Sequence, residues 1–189
     1  MVKRLFLTVM ICLSAMQTMA QDKAYHGNGI DNILEYTPWV AVYALKASGV
    51  EGASTWKRLI VNSALSYAVT AGTVTLLKHA IHARRPDGTD NKSFPSGHAA
   101  ISFAGATVLH HEYGKISPWI SVGGYAMATF VAADRVIRNR HHWQDVAAGA
   151  AIGFLSTKFG YWLGDKITGE RSRYALSVTP EGLSMVITF

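Results

Sequence analysis

Three segments of this 189-residue chain hold the residue types and spacings that chemistry needs. The first is Lys78-His-Ala-Ile-His-Ala-Arg-Arg85-Pro86, a lysine seven residues ahead of an Arg-Pro pair. The second is Phe94-Pro95-Ser96-Gly97-His98, and the third runs from Arg135 through His141 to Asp145. Phosphoryl transfer spreads negative charge over three equatorial oxygens, so a catalyst that uses no metal must surround them with fixed donors. Lys78, Arg85 and Arg135 can supply that charge, the arginines in bidentate fashion. Ser96 is a good N-cap and Gly97 lets a ligand approach the backbone, so a helix starting there presents amide N–H groups to an anion. His141 and Asp145 are four apart, which on a helix places both on one face. The carboxylate can then fix the imidazole tautomer and leave the other nitrogen free to attack phosphorus, giving a phosphohistidine. His98 can protonate the leaving oxygen and later deprotonate water. Activity should therefore pass through a pH optimum, with His98 protonated and His141 neutral.

Each segment alone has a blander reading: a solvated cation, a plain helix cap, a surface His–Asp contact. Their joint occurrence gives them weight. His79, His82, His110, His111 and His142 form no ligand set of recognised spacing, so no metal or other cofactor is expected. Arg84, Arg138 and Arg140 are second-rank candidates for the outer parts of a substrate.

Helical stretches are expected to position these residues. Apolar residues recur at helical spacing over 33–45, 55–82, 97–111, 117–133 and 141–163, with a turn-rich loop over 84–92. The fold class is therefore all-α, a bundle of five to six helices. Tyr174–Val178 and Leu183–Thr188 flank the turn signal Thr179-Pro-Glu-Gly182, which predicts a small C-terminal β-hairpin. The expected organisation is a leader over 1–20, one helical domain over 21–168 and a tail over 169–189.

In this order and at these spacings, the three segments resemble the signature of the type 2 phosphatidic acid phosphatase superfamily: Lys-x6-Arg-Pro, Pro-Ser-Gly-His and Ser-Arg-x5-His-x3-Asp. That superfamily includes bacterial acid phosphatases, lipid phosphatases and vanadium haloperoxidases. Residue by residue, the resemblance implies Lys78, Arg85, Ser96, Gly97 and Arg135 around phosphate, His98 as general acid, His141 as nucleophile and Asp145 as its partner. Asp134 departs from the pattern, standing where the family has serine, and a carboxylate there must point away from phosphate. The implied activity is hydrolysis of a lipid phosphate or pyrophosphate. A broad acid phosphatase acting on soluble esters is the alternative, and a non-catalytic phosphate-binding membrane protein a lower one.

The opening Met-Val-Lys-Arg, the apolar run from Leu5 and the small residues Thr18 and Ala20 fit a signal peptide or an uncleaved first membrane helix. With either, the loops at 79–97 and 134–141 fall on the exported side, placing the chemistry in a bacterial envelope and facing the periplasm. The formal charge of +6 favours a phosphate-bearing lipid or a membrane surface as partner. The basic residues are scattered, which argues against nucleic acid, and nothing in the sequence sets the oligomeric state. Most apolar stretches are shorter than the roughly 20 residues of a span. Trp39, Trp56, Trp119, Trp143 and Trp162 fit either core positions or interfacial anchors.

Overall fold

A computed structural model of the protein describes residues 31–170 and 172, and the backbone of 174–179 and 182–187. The expected leader over 1–20 lies outside the described residues. A single helical turn, α1 (Asp31–Leu34), leads into α2 (Thr37–Ala47). Four longer helices follow: α3 (Trp56–Ala80), α4 (Gly97–Tyr113), α5 (Pro118–Ile137) and α6 (Trp143–Thr168). The fold class is all-α, and it rests on these helices. Beyond them, β1 (Tyr174–Thr179) and β2 (Gly182–Ile187) pair antiparallel, Tyr174 opposite Ile187 and Thr179 opposite Gly182.

The helix limits follow from local chemistry. The Thr55 side chain accepts from the Arg58 amide to cap α3, and Ser96 accepts from Ala99 to cap α4. Pro38 and Pro118 occupy first-turn positions, where a missing N–H costs nothing. Gly169 ends α6 with φ of 70°, a left-handed conformation that favours glycine.

Helix α6 lies against both α3 and α4, and glycines permit the close approach. A Cβ at Gly149 would stand 2.4 Å from the Ser96 carbonyl oxygen, and one at Gly153 2.2 Å from that of Ala100. Gly160 and Gly164 do the same against Ser66 and Asn62 of α3. This stripe of small residues, rather than a layer of large ones, sets the spacing of the bundle. The apolar core gathers at α2 and the middle of α4, where Trp39, Val42, Leu59, Val108 and Tyr113 are buried together. Trp39 also donates from Nε1 to the Ile101 carbonyl at 2.9 Å.

Helices α3 and α5 are long and apolar enough to cross a membrane. The structure separates the five tryptophans. Trp39 is core, whereas Trp56, Trp119, Trp143 and Trp162 are exposed near helix ends.

Candidate active site

The loop that leaves α3 is folded back on itself and onto its neighbours. Ile81 is extended and ends the helix. The Ser93 amide donates to Ala83 and the Arg85 amide to Asp90, while the Asp87 amide reaches the Asn139 carbonyl of the α5–α6 loop. Lys78, in the last turn of α3, donates to the Lys92 carbonyl at 2.7 Å. Arg85 therefore projects from a tied loop. Its Nη1 lies 3.1 Å from the Arg140 carbonyl and 3.3 Å from His141 Nε2.

His141 is placed by the turn between α5 and α6. The Arg135 carbonyl accepts from both the Arg140 and His141 amides, and Asn139 takes φ of 54°, a left-handed conformation that asparagine tolerates. Sequence spacing put His141 and Asp145 on one helix face; in the structure α6 begins at Trp143 and His141 precedes it. The cause is a capping box: His142 is the N-cap, and its amide donates at 2.9 Å to Oδ2 of Asp145, the third helical residue. The pair still meets, with His141 Nδ1 3.7 Å from Asp145 Oδ2 and both residues buried. That separation is an ion-pair distance, longer than a hydrogen bond. Ser93 Oγ donates to the same carboxylate oxygen, and the Ser96 amide donates to the Asp145 carbonyl at 2.9 Å. The starts of α4 and α6 are thereby joined.

Gly97 and His98 occupy the first turn of α4, behind the Ser96 cap. His98 meets two residues that sequence reasoning missed. Its Nε2 lies 2.6 Å from Asn32 Oδ1, and its Nδ1 lies 3.9 Å from Glu35 Oε2. The only sequence signal for Glu35 was a carboxylate at the edge of an apolar stretch.

The electrostatics of the site are set by burial and by its cations. Burial, then Arg85 and Lys78, push the His98 pKa down to about 4. The same causes, with Arg135 added, hold His141 well below the ordinary histidine value, and Asp145 opposes them. Both imidazoles thus lie in the field of one Arg85 and one Lys78. Arg135 is buried in the last turn of α5. Two of the three second-rank arginines are tied to carboxylates, Arg140 to Asp87 at 2.8 Å and Arg138 to Asp134 at 3.6 Å, while Arg84 is exposed. Asp134, the departure from the family pattern, is therefore turned toward an arginine.

Of the five remaining histidines among the described residues, His82 is exposed in the loop after α3 and the other four have separate duties. His79 bonds the Thr75 carbonyl, His110 bonds Ser121, His111 stacks on Tyr161, and His142 caps α6.

The PAP2 superfamily model matches residues 59–168, a span that includes all three motifs. The chain is 42% identical over 164 residues to a protein of Porphyromonas gingivalis named lipid A 1-phosphatase, covering 84% of this chain and 37% of that one. It is 44% identical over 82 residues to lipid phosphate phosphatase 1 of Arabidopsis thaliana, covering 38% of this chain and 25% of the relative. The chain thus spans between a quarter and two fifths of these relatives' lengths. The crystal structure of LpxE of Aquifex aeolicus superposes with a TM-score of 0.55 at 21% identity, over 78% of this chain and 93% of that one, which is a likeness of fold. Motifs, helical architecture and matched span agree: this chain belongs to the PAP2 superfamily.

Proposed function

We propose that this protein is a metal-independent phosphatase that hydrolyses a lipid phosphate through a phosphohistidine on His141. One observation carries the reading: His141 Nε2 stands 3.3 Å from the Arg85 guanidinium while its Nδ1 faces a buried carboxylate. The nitrogen that can attack is the one turned toward the cations, and its low pKa keeps it unprotonated. Lys78, Arg85, Arg135, the Ser96 side chain and the amides at Gly97 hold the phosphoryl oxygens. His141 attacks phosphorus as His98 protonates the leaving oxygen; His98 then takes a proton from water, which releases phosphate.

Two features favour a lipid ester over a soluble one, in line with the name of the Porphyromonas relative. An apolar groove of about 330 Å³, lined by Tyr36, Trp39, Tyr43, Ile60, Ala64 and Tyr67, begins one residue from Glu35 and can take an acyl chain. The exposed tryptophans also fall toward the two ends of the bundle. Trp143 is at the catalytic end of α6, and Trp162 lies about 30 Å along it, the thickness of a bilayer's hydrocarbon core. Trp56 and Trp119 begin α3 and α5 at the end of the bundle away from the three motifs. This fits a membrane-associated protein with its active site at one interface, which we assign to the periplasmic face.

Purified protein should release inorganic phosphate in the presence of EDTA, be inhibited by vanadate, and hydrolyse a long-chain lipid phosphate faster than a small aryl phosphate. Faster turnover of the aryl ester would favour a broad acid phosphatase. Turnover retained in His141→Ala would remove the nucleophile.

A further inference from the structure

The two imidazoles of the site have matching surroundings. His141 Nδ1 faces Asp145 Oδ2 at 3.7 Å, and His98 Nδ1 faces Glu35 Oε2 at 3.9 Å. Both carboxyl groups are buried, Asp145 at 4% and Glu35 at 6% exposure. They differ in sequence origin: Asp145 is a neighbour of its histidine, whereas Glu35 comes from the junction of α1 and α2. They also differ in satisfaction. Asp145 Oδ2 takes two hydrogen bonds, from Ser93 and His142, while Glu35 Oε2 takes none. A buried carboxyl oxygen without a hydrogen bond costs stability, so its position calls for a reason. On the other side of the ring, Asn32 Oδ1 at 2.6 Å accepts from His98 Nε2. Nε2 then carries the hydrogen, and the basic nitrogen Nδ1 is turned to Glu35.

We infer that Glu35 is the positioning residue of His98: it fixes the tautomer that bears hydrogen on Nε2, and through Nδ1 it replaces the proton that Nε2 gives away. The inference rests on the phosphohistidine reading above. As the P–O bond breaks and the P–N bond to His141 forms, the Nε2 proton passes to the leaving oxygen, which takes the place of Asn32 Oδ1. The Glu35 carboxyl proton moves to Nδ1, leaving a neutral ring and a carboxylate. When water attacks phosphorus and the P–N bond breaks, the water proton goes to Nε2 and the Nδ1 proton returns to Glu35. The 3.9 Å gap must close by about 1 Å, as catalytic hydrogen bonds often do on substrate binding.

The charges around the pair explain why His98 needs such a partner. Lys78 of α3, Arg85 of the following loop, and Arg138 and Arg140 of the α5–α6 turn all oppose an imidazolium at His98. Asn32 and Tyr36 flank the pair from α1 and its junction with α2, and Tyr36 hydrogen-bonds Glu35. Burial nevertheless pushes Glu35 up to about 7. Between about 4 and 7 the pair therefore holds one proton, stored on Glu35 in the free protein.

The test is Glu35→Gln assayed on two phosphate esters across pH. A long-chain alkyl phosphate has a poor leaving group that needs the acid; p-nitrophenyl phosphate has a good one that does not. Glu35→Gln should lower kcat/KM at pH 7 by about 100-fold on the alkyl ester and less than about 3-fold on the aryl ester. Its basic limb on the alkyl ester should move toward acid by at least about one pH unit. Glu35→Asp should restore part of the alkyl activity. Equal losses on the two esters, or an unmoved basic limb, would overturn the inference. Phosphoenzyme trapped from the aryl ester keeps the two readings apart. Glu35→Gln should still form it and His141→Ala should not, so a phosphoenzyme in His141→Ala defeats the parent reading whatever Glu35 does.

Discussion

The two ends of the helical bundle both bury charge, and they treat it differently. At the end away from the catalytic motifs, Arg58 binds Asp165 through two hydrogen bonds of 2.8 and 2.9 Å, and Asn62 adds a third to the same carboxylate. Glu112 accepts from Ser54 and Tyr161 at 2.7 Å each, and Arg58 closes the circuit by donating to Ser54. At the catalytic end the carboxylates stand off from the histidines at 3.7 and 3.9 Å, and His141 Nδ1 and Glu35 Oε2 make no hydrogen bond. Satisfied charges fix a structure. Charges held just short of contact cost stability, and on the function proposed above they keep protons movable.

The largest effect that tests this division is His141→Ala. It should lower phosphate release by on the order of 10³-fold or more while leaving the thermal midpoint near that of the parent, read by phosphate assay and calorimetry. Next comes Arg58→Ala, which removes both guanidinium hydrogen bonds from Asp165, leaving Asn62 as its donor, and cuts the link to Ser54. It should cost about 3 kcal/mol in denaturant unfolding, yet leave kcat per folded molecule unchanged. Were Arg58→Ala to abolish turnover in the folded fraction, the two ends would not be separate systems.

The same contrast governs what the sequence makes legible. Lys78, Arg85, Ser96, His98, Arg135 and His141 stand out because each belongs to a short segment whose spacing is itself chemical. Asp145 is legible for the same reason, although the expected helix starts too early; a histidine at the N-cap is a weak start signal beside Ser, Thr, Asp or Asn. Partners that cross the fold are not legible. Asn32 lies 66 residues from His98, and Asp165 lies 107 from Arg58. The five helices follow from apolar periodicity, but their spacing depends on which glycine faces which backbone, and periodicity does not carry that.

Those glycines give the third test, because the stripe touches both ends. Gly149→Ala drives a methyl toward the Ser96 carbonyl, and Gly164→Ala drives one to 1.9 Å from Asn62 Oδ1. Each should cost about 1–3 kcal/mol by overpacking. Only Gly149→Ala should also lower kcat, since Ser96 caps α4 and its amide is tied to Asp145. Equal kcat losses in the two variants would mean that helix spacing, and not the position of Ser96, limits the rate.

The smallest effects come from two serines in like roles. Ser54 Oγ and Ser93 Oγ are both buried, and each donates to a buried carboxylate, Glu112 at the far end and Asp145 at the site. By hydrogen-bond chemistry alone, Ser54→Ala and Ser93→Ala should each cost about 1 kcal/mol, a shift of a few degrees in Tm. The rates should diverge. Ser54→Ala leaves Glu112 with Tyr161 as donor and should not change kcat. Ser93→Ala removes one of the two hydrogen bonds that hold Asp145 Oδ2 beside His141, leaving the His142 amide alone to orient it. A fall in kcat of about 3- to 10-fold is expected, without a matching change in KM, because the interaction lost serves the proposed nucleophile and not the bound phosphate. If Ser93→Ala instead raises kcat, the hydroxyl competes with His141 for Oδ2, and the 3.7 Å separation is then a restraint on the pair and not its working distance.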